Sequence, residues 1–124
     1  MADIRSYEVD ARSTDTFGRV LWSARGQHFI ADGPVQNGCP GEAVTPAELF
    51  LAGVVACAVE LVQVVAKADG VPLVRIGAHI EGMMDPDNRV RDDVNVFNAV
   101  RLRFEMEGPS EQQAQALVEA FKGR

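Results

Sequence analysis

A long apolar segment in the middle of the chain constrains the fold most strongly. It runs from Leu49 to Val59 as Leu-Phe-Leu-Ala-Gly-Val-Val-Ala-Cys-Ala-Val and continues beyond Leu61 at helical length. Only Glu48, Glu60 and Lys67 bring charge to it or its borders. Because a bilayer span takes roughly 20 apolar residues, we expect this run to be too short to cross a membrane. It predicts the buried helix of a soluble protein.

The residues around this segment predict where the helix begins and ends. Thr45 is a suitable N-cap, Pro46 suits the first helical position, and Glu48 completes a Thr-x-x-Glu capping box. Gly70 is a suitable C-terminal stop, so the helix is expected to run to about Asp69. Such a helix is apolar on every face. A chain of 124 residues can hardly cover it on all sides, so either the sheet wraps it closely or a second copy helps to cover it, and we favour an obligate homodimer.

Composition narrows the class of protein. We expect one domain over residues 1–124, with 47% apolar and 24% charged residues, as in ordinary globular proteins. The net charge of -6 argues against a nucleic-acid partner, since phosphate binding needs a basic surface. The N-terminus has no apolar signal region, and two cysteines make no disulfide framework, so a cytoplasmic setting is expected.

The segments before the helix predict an antiparallel meander. Residues 4–12 alternate between apolar and polar and predict one strand, and residues 17–24 and 27–32 predict two more around a tight turn at Arg25-Gly26. Residues 33–44 are rich in glycine and proline and predict a loop that leads into the helix.

The segments after the helix complete an α+β fold. Residues 73–82 predict a strand, residues 85–89 a turn, and residues 95–107 contain another strand. A second capping box at Ser110 and Gln113 opens an amphipathic helix. Its apolar stripe consists of Ala114, Leu117, Val118 and Phe121. We therefore expect an antiparallel sheet around one long buried helix, with a C-terminal amphipathic helix.

Cys57 is the residue with the most chemical promise. It is either an inert core residue or a sheltered nucleophile, and the thiolate is the reactive form. Glu60 lies three residues later, about 300° around the helix, and opposes a negative charge on the sulfur. Phe50 precedes Cys57 by seven residues, a helical rotation of about 700°, and therefore lies on nearly the same helix face. It either packs in the core or forms the wall of an apolar substrate pocket.

The other polar candidates carry weaker signals. Glu48 lies nine residues before Cys57, on the opposite side of a straight helix, so a capping carboxylate is its simpler role. Cys39 is a candidate second thiol or an incidental exposed one.

His28 and His79 have no Cys or His partner at metal-ligand spacing, which predicts no metal site. No nucleotide-binding glycine motif is visible, and no cofactor is expected. Trp22 and Phe29 are expected in the core.

The stretch Thr45-Pro-Ala-Glu-Leu-Phe-Leu-Ala-Gly-Val-Val-Ala-Cys57 closely resembles the signature of the OsmC/Ohr family. Pro46 and Cys57 hold the family's eleven-residue spacing, and the resemblance extends over nearly the whole chain. It implies an intertwined α+β homodimer with active sites at the subunit interface. It also implies thiol chemistry on organic hydroperoxides, in which the helix cysteine becomes a sulfenic acid.

The resemblance further implies the partners of that cysteine. In the family a downstream cysteine closes a disulfide, a dithiol reductant restores the pair, and an Arg and a Glu support the thiolate. Arg19 is our first candidate for that Arg, and Arg12 is our second. The predicted catalytic residues are thus Cys57, Arg19 and Glu48, and the predicted substrate-pocket residues are Phe50, Gly53 and Glu60.

The sequence also departs from the peroxidase pattern. The residue after Pro46 is Ala47 where the peroxidases have Glu, and no cysteine follows Cys57 in the sequence given, which ends close to where the family places its second cysteine. Two functions remain open. The first is a Cys57-dependent organic hydroperoxide reductase in stress defence, and the alternative is a non-enzymatic dimer of the same fold that binds a small apolar ligand.

Overall fold

The structure is a computed structural model that describes residues 3–93 and 96–123. It divides into two compact units, one that ends at Phe50 and one that begins at Leu51. The α+β class with antiparallel strands and two helices is confirmed. In chain order the elements are β1 (Asp10–Ser13), β2 (Arg19–Ala24), β3 (Gln27–Asp32), α1 (Pro46–Ala68), β4 (Arg75–Met83), β5 (Ala99–Glu107) and α2 (Glu111–Lys122).

The first unit contains a three-stranded antiparallel sheet in the order β1-β2-β3. Strands β2 and β3 are joined by the predicted two-residue turn, in which Arg25 has a φ of 54° and Gly26 a φ of 77°. Two left-handed residues in succession match the twist of a hairpin, and this turn fixes the pairing of Arg19 with Asp32. A short 3₁₀ turn (Val35–Asn37) lies within the predicted loop.

The first strand is shorter than expected. Residues 4–12 were predicted as a strand, but pairing begins at Asp10, opposite Ser23, and residues 4–9 form no strand. The reason is that β2 turns back into β3 directly after Ala24, so the earlier residues have no partner on this strand. Their apolar side chains are exposed, Ile4 to 97%.

The aromatic residues of this sheet do not form the deep core that the sequence predicts. Trp22 and Phe29 are cross-strand partners whose rings stack at 4.4 Å, yet Phe29 remains 42% exposed and Trp22 is half-buried. Phe50 is 60% exposed. The two rings stack with an interplanar angle of 23°, so each covers one face of the other, and this contact alone leaves the Phe29 ring partly exposed to water.

Helix α1 begins as predicted. The Thr45 backbone N–H donates to Glu48 Oε1 at 3.0 Å, and the Glu48 N–H donates to Thr45 Oγ1 at 3.3 Å, which is the reciprocal capping box. The hydrogen bonds from Thr45 hold the pKa of Glu48 below its usual value. At the other end Gly70 adopts a φ of 67°, and the Val71 N–H bonds back to the Ala66 carbonyl at 2.9 Å.

The length of α1 corrects one expectation. It has 23 residues, and by length and composition it is long enough and apolar enough to cross a membrane, so the argument that it is too short is wrong. One such helix is weak support for a span, because the core helix of a soluble protein meets the same criteria. The second unit shows α1 packing as a core helix along one face.

The core of the second unit lies between α1, α2 and the β4–β5 hairpin. Its buried residues are Val62, Val65 and Ala66 of α1 and Leu117 of α2. Half-buried side chains of the hairpin pack against them, and the rings of Phe104 and Phe121 meet edge to face at 6.0 Å. Strands β4 and β5 pair over nine residues. The predicted strand region began at Asn95, which lies outside the described residues, and β5 itself begins at Ala99.

The stripe on α2 gives a direct test of this packing. Leu117 is 2% exposed, whereas Gln115 on the same helix is exposed. Leu117→Ala should lower the free energy of unfolding by about 3 kcal/mol, because it removes apolar contact and leaves a cavity. Urea unfolding of both variants measures the difference. Gln115→Ala serves as the control, and equal effects of the two substitutions would contradict this assignment of the core.

Candidate functional site

Cys57 is exposed on helix α1. Its own chain therefore does not pack the thiol into a core, which leaves the sulfur accessible for chemistry or for contact with another molecule. The residues that precede and follow it on this side are also exposed. We call the exposed side made by Gly53, Cys57, Glu60 and Val64 the Cys57 face.

The Cys57 face is largely apolar with one carboxylate. Gly53 lies one helical turn before the cysteine and Val64, 49% exposed, lies two turns after it. Glu60 lies within one turn of Cys57 and is exposed, so its negative charge opposes a thiolate. Phe50 precedes Cys57 by seven residues on the same side of the helix.

Arg19, the first candidate for thiolate support, is engaged in an ion pair within the first unit. Its Nε donates to Asp32 Oδ1 at 2.8 Å and its Nη2 to Asp32 Oδ2 at 2.8 Å. The same Nη2 also donates to Glu42 Oε1 at 3.1 Å. Two carboxylates thus face one guanidinium, so the local charge is no longer positive. The two carboxylates also raise the pKa of Arg19.

Asp32 is the residue around which this ion pair is built. It is fully buried, and besides Arg19 its Oδ2 accepts the backbone N–H groups of Glu42 at 3.0 Å and Ala43 at 2.9 Å. The Arg19 hydrogen bonds come first among the causes that hold the pKa of Asp32 far below its usual range, and the two backbone donors add to them. Burial alone would raise the pKa of Asp32.

The Asp32 carboxylate also shapes the loop before α1. The Asp32 N–H donates to the Val44 carbonyl at 3.0 Å, and its side chain holds Glu42 and Ala43, so both ends of the 33–44 loop are tied together. The sequence-based reasoning missed Asp32 and Glu42. A charged residue at the end of an apolar strand, opposite Arg19 across a two-residue turn, is the signal that identifies the pair.

Cys39 is packed within this loop. A Cβ added at Gly33 would lie 2.5 Å from the Cys39 sulfur, and one added at Gly18 would also collide with it, so the thiol fills the space over two glycines. The Cys39 thiol donates to the Asn37 carbonyl at 3.8 Å. A role as second thiol therefore requires the loop to release Cys39.

Among residues 3–93 and 96–123, no cluster of three or more His, Cys, Asp or Glu side chains could hold a metal ion. Glu48 acts as the capping carboxylate described above, bonded to the Thr45 hydroxyl at 2.8 Å. The chemistry that the described residues offer is therefore that of an accessible thiol on an apolar helix face.

Comparison with known proteins places the chain in a family. The family described as OsmC-like protein matches residues 39–124, which include α1, and the chain belongs to this family. No curated protein matches the sequence.

Solved structures share the fold at low sequence identity. An OsmC-like protein from Mycoplasma pneumoniae aligns with a TM-score of 0.81 at 16% identity, over 97% of this chain and 82% of that one. An organic hydroperoxide resistance protein from Elizabethkingia anophelis gives 0.79 at 17% identity, over 99% and 85%. One from Legionella pneumophila gives 0.76 at 20% identity, over 98% and 85%.

The Asp32 ion pair predicts a dependence of stability on pH. Because the folded pKa of Asp32 lies below its unfolded value of about 4, the stabilisation is complete above that pH and is lost as the pH falls. Asp32→Asn should lower the melting temperature by several degrees at pH 7. On acidification, the melting temperature of this variant should fall less than that of the wild type.

Melting curves between pH 7 and pH 3 measure this difference. Asp87→Asn provides a matched control, because Asp87 is an exposed loop residue for which no ion pair is found in the described part of the chain. Parallel pH profiles for wild type and Asp32→Asn would show that the carboxylate does not stabilise the fold.

Proposed function

We propose that the protein is a thiol-dependent reductase of organic hydroperoxides, with Cys57 as the nucleophile. The observation that carries the proposal is the exposed thiol on an apolar helix whose start, from Pro46 to Cys57, has the family's spacing. Membership of the OsmC-like family supports it, as does a fold shared with two structures described as organic hydroperoxide resistance proteins.

The chemistry of this proposal is a two-electron reduction of the peroxide bond. The Cys57 thiolate attacks the distal oxygen of the hydroperoxide, an S–O bond forms and the O–O bond breaks. The alkoxide leaves, takes up a proton and becomes the alcohol, while the sulfur becomes a sulfenic acid. A dithiol reductant then restores the thiol, is itself oxidised to a disulfide and releases water.

A cation must balance the negative sulfur, because Glu60 on the same helix opposes it. Arg19 already faces Asp32 and Glu42 and offers little net positive charge. Arg12 is exposed on β1, on the same sheet face as Arg19, and no ion pair to it is found in the described part of the chain. We therefore place Arg12 before Arg19 as the guanidinium of this proposal, while Glu48 contributes by capping the helix.

The proposal includes a homodimer in the cytoplasm. Only Ala58, Val62, Val65 and Ala66 of α1 are buried in the single chain, and Phe50 and Val64 are left exposed. Apolar surface of this extent is typical of a contact with another molecule. A second copy supplies such a surface by symmetry and places each Cys57 in a sheltered, water-poor site.

The oligomeric state has its own measurement. Light scattering of the purified protein should give about twice the 13.4 kDa of one chain. A mass of one chain at micromolar concentration would remove the homodimer and, with it, the shelter that this proposal gives to Cys57.

A binding function without catalysis is the second candidate. Ala47 stands where the peroxidases carry a Glu, and the Arg19 charge is used within the first unit. The thiolate is the nucleophilic form, so a cysteine that no cation activates would react only slowly with a peroxide. The same apolar helix face would then hold a small apolar ligand.

The catalytic proposal is tested by two cysteine variants. Cys57→Ser should abolish consumption of an alkyl hydroperoxide in the presence of a dithiol such as dithiothreitol, because no sulfur remains to form the sulfenic acid. Cys39→Ser should retain it, since an external dithiol can replace a second protein thiol. Peroxide loss is followed in a colorimetric assay.

The outcomes separate the two candidate functions. Turnover in wild type and Cys39→Ser but not in Cys57→Ser supports the reductase. Equal turnover in Cys57→Ser and wild type would refute it, and no turnover in any form, with saturable binding of an apolar fluorophore to the wild type, would favour the binding function.

A further inference from the structure

We draw no further inference here: the strongest candidate, the groove of about 600 Å³ between β5 and α2 that is lined by Phe104, Met106, Ala114 and Val118 and bordered by Glu111 and Glu119, is a largely apolar surface, and nothing in the structure shows what covers it.

Discussion

Helix α1 carries more apolar surface than its own chain covers, and the rest of the account depends on this imbalance. Four of its residues lie in the core, whereas Phe50, Val64 and Cys57 remain exposed. An exposed apolar helix face is unstable in water unless another molecule covers it. The same face carries the thiol, so whatever covers α1 also defines the surroundings of Cys57. Our proposal therefore links assembly to the chemistry of the thiol.

The buried Asp32 carboxylate is the second organising feature. It accepts hydrogen bonds from Arg19 and from two backbone N–H groups. These bonds hold the loop that leads to the capped start of α1. A guanidinium used in this way stabilises the fold but offers little positive potential to a thiolate. Because Arg19 is bonded to Asp32, our proposal assigns the supporting guanidinium to Arg12. For the same reason, the binding function remains our second candidate.

The comparison of sequence and structure shows which interactions can be predicted locally. Both capping boxes, the Arg25-Gly26 turn and the Gly70 stop depend on residues a few positions apart, and all of them were predicted correctly. The extent of β1 and the exposure of Phe50 depend on what lies across the fold. Periodicity alone predicts that a segment can be a strand but not that a partner is present.

The candidate site was predictable in part. Cys57 was singled out from its setting in the apolar helix, and Phe50 and Glu60 were singled out from their rotation about that helix relative to Cys57. The Arg19–Asp32 pair was missed, although the predicted turn at residues 25 and 26 already sets Arg19 opposite Asp32. Exposure of the thiol was not predicted, although Glu60, three residues after Cys57 and exposed like it, marks that side of the largely apolar helix.

The most direct test of the central claim is the concentration dependence of unfolding. If a second copy covers α1, unfolding separates the subunits, and the free energy of unfolding rises by about 2.7 kcal/mol for a hundredfold increase in protein concentration. Urea titrations at the two concentrations should then give clearly different midpoints. Identical midpoints would mean that α1 keeps its apolar face uncovered in a stable monomer, and would contradict the account.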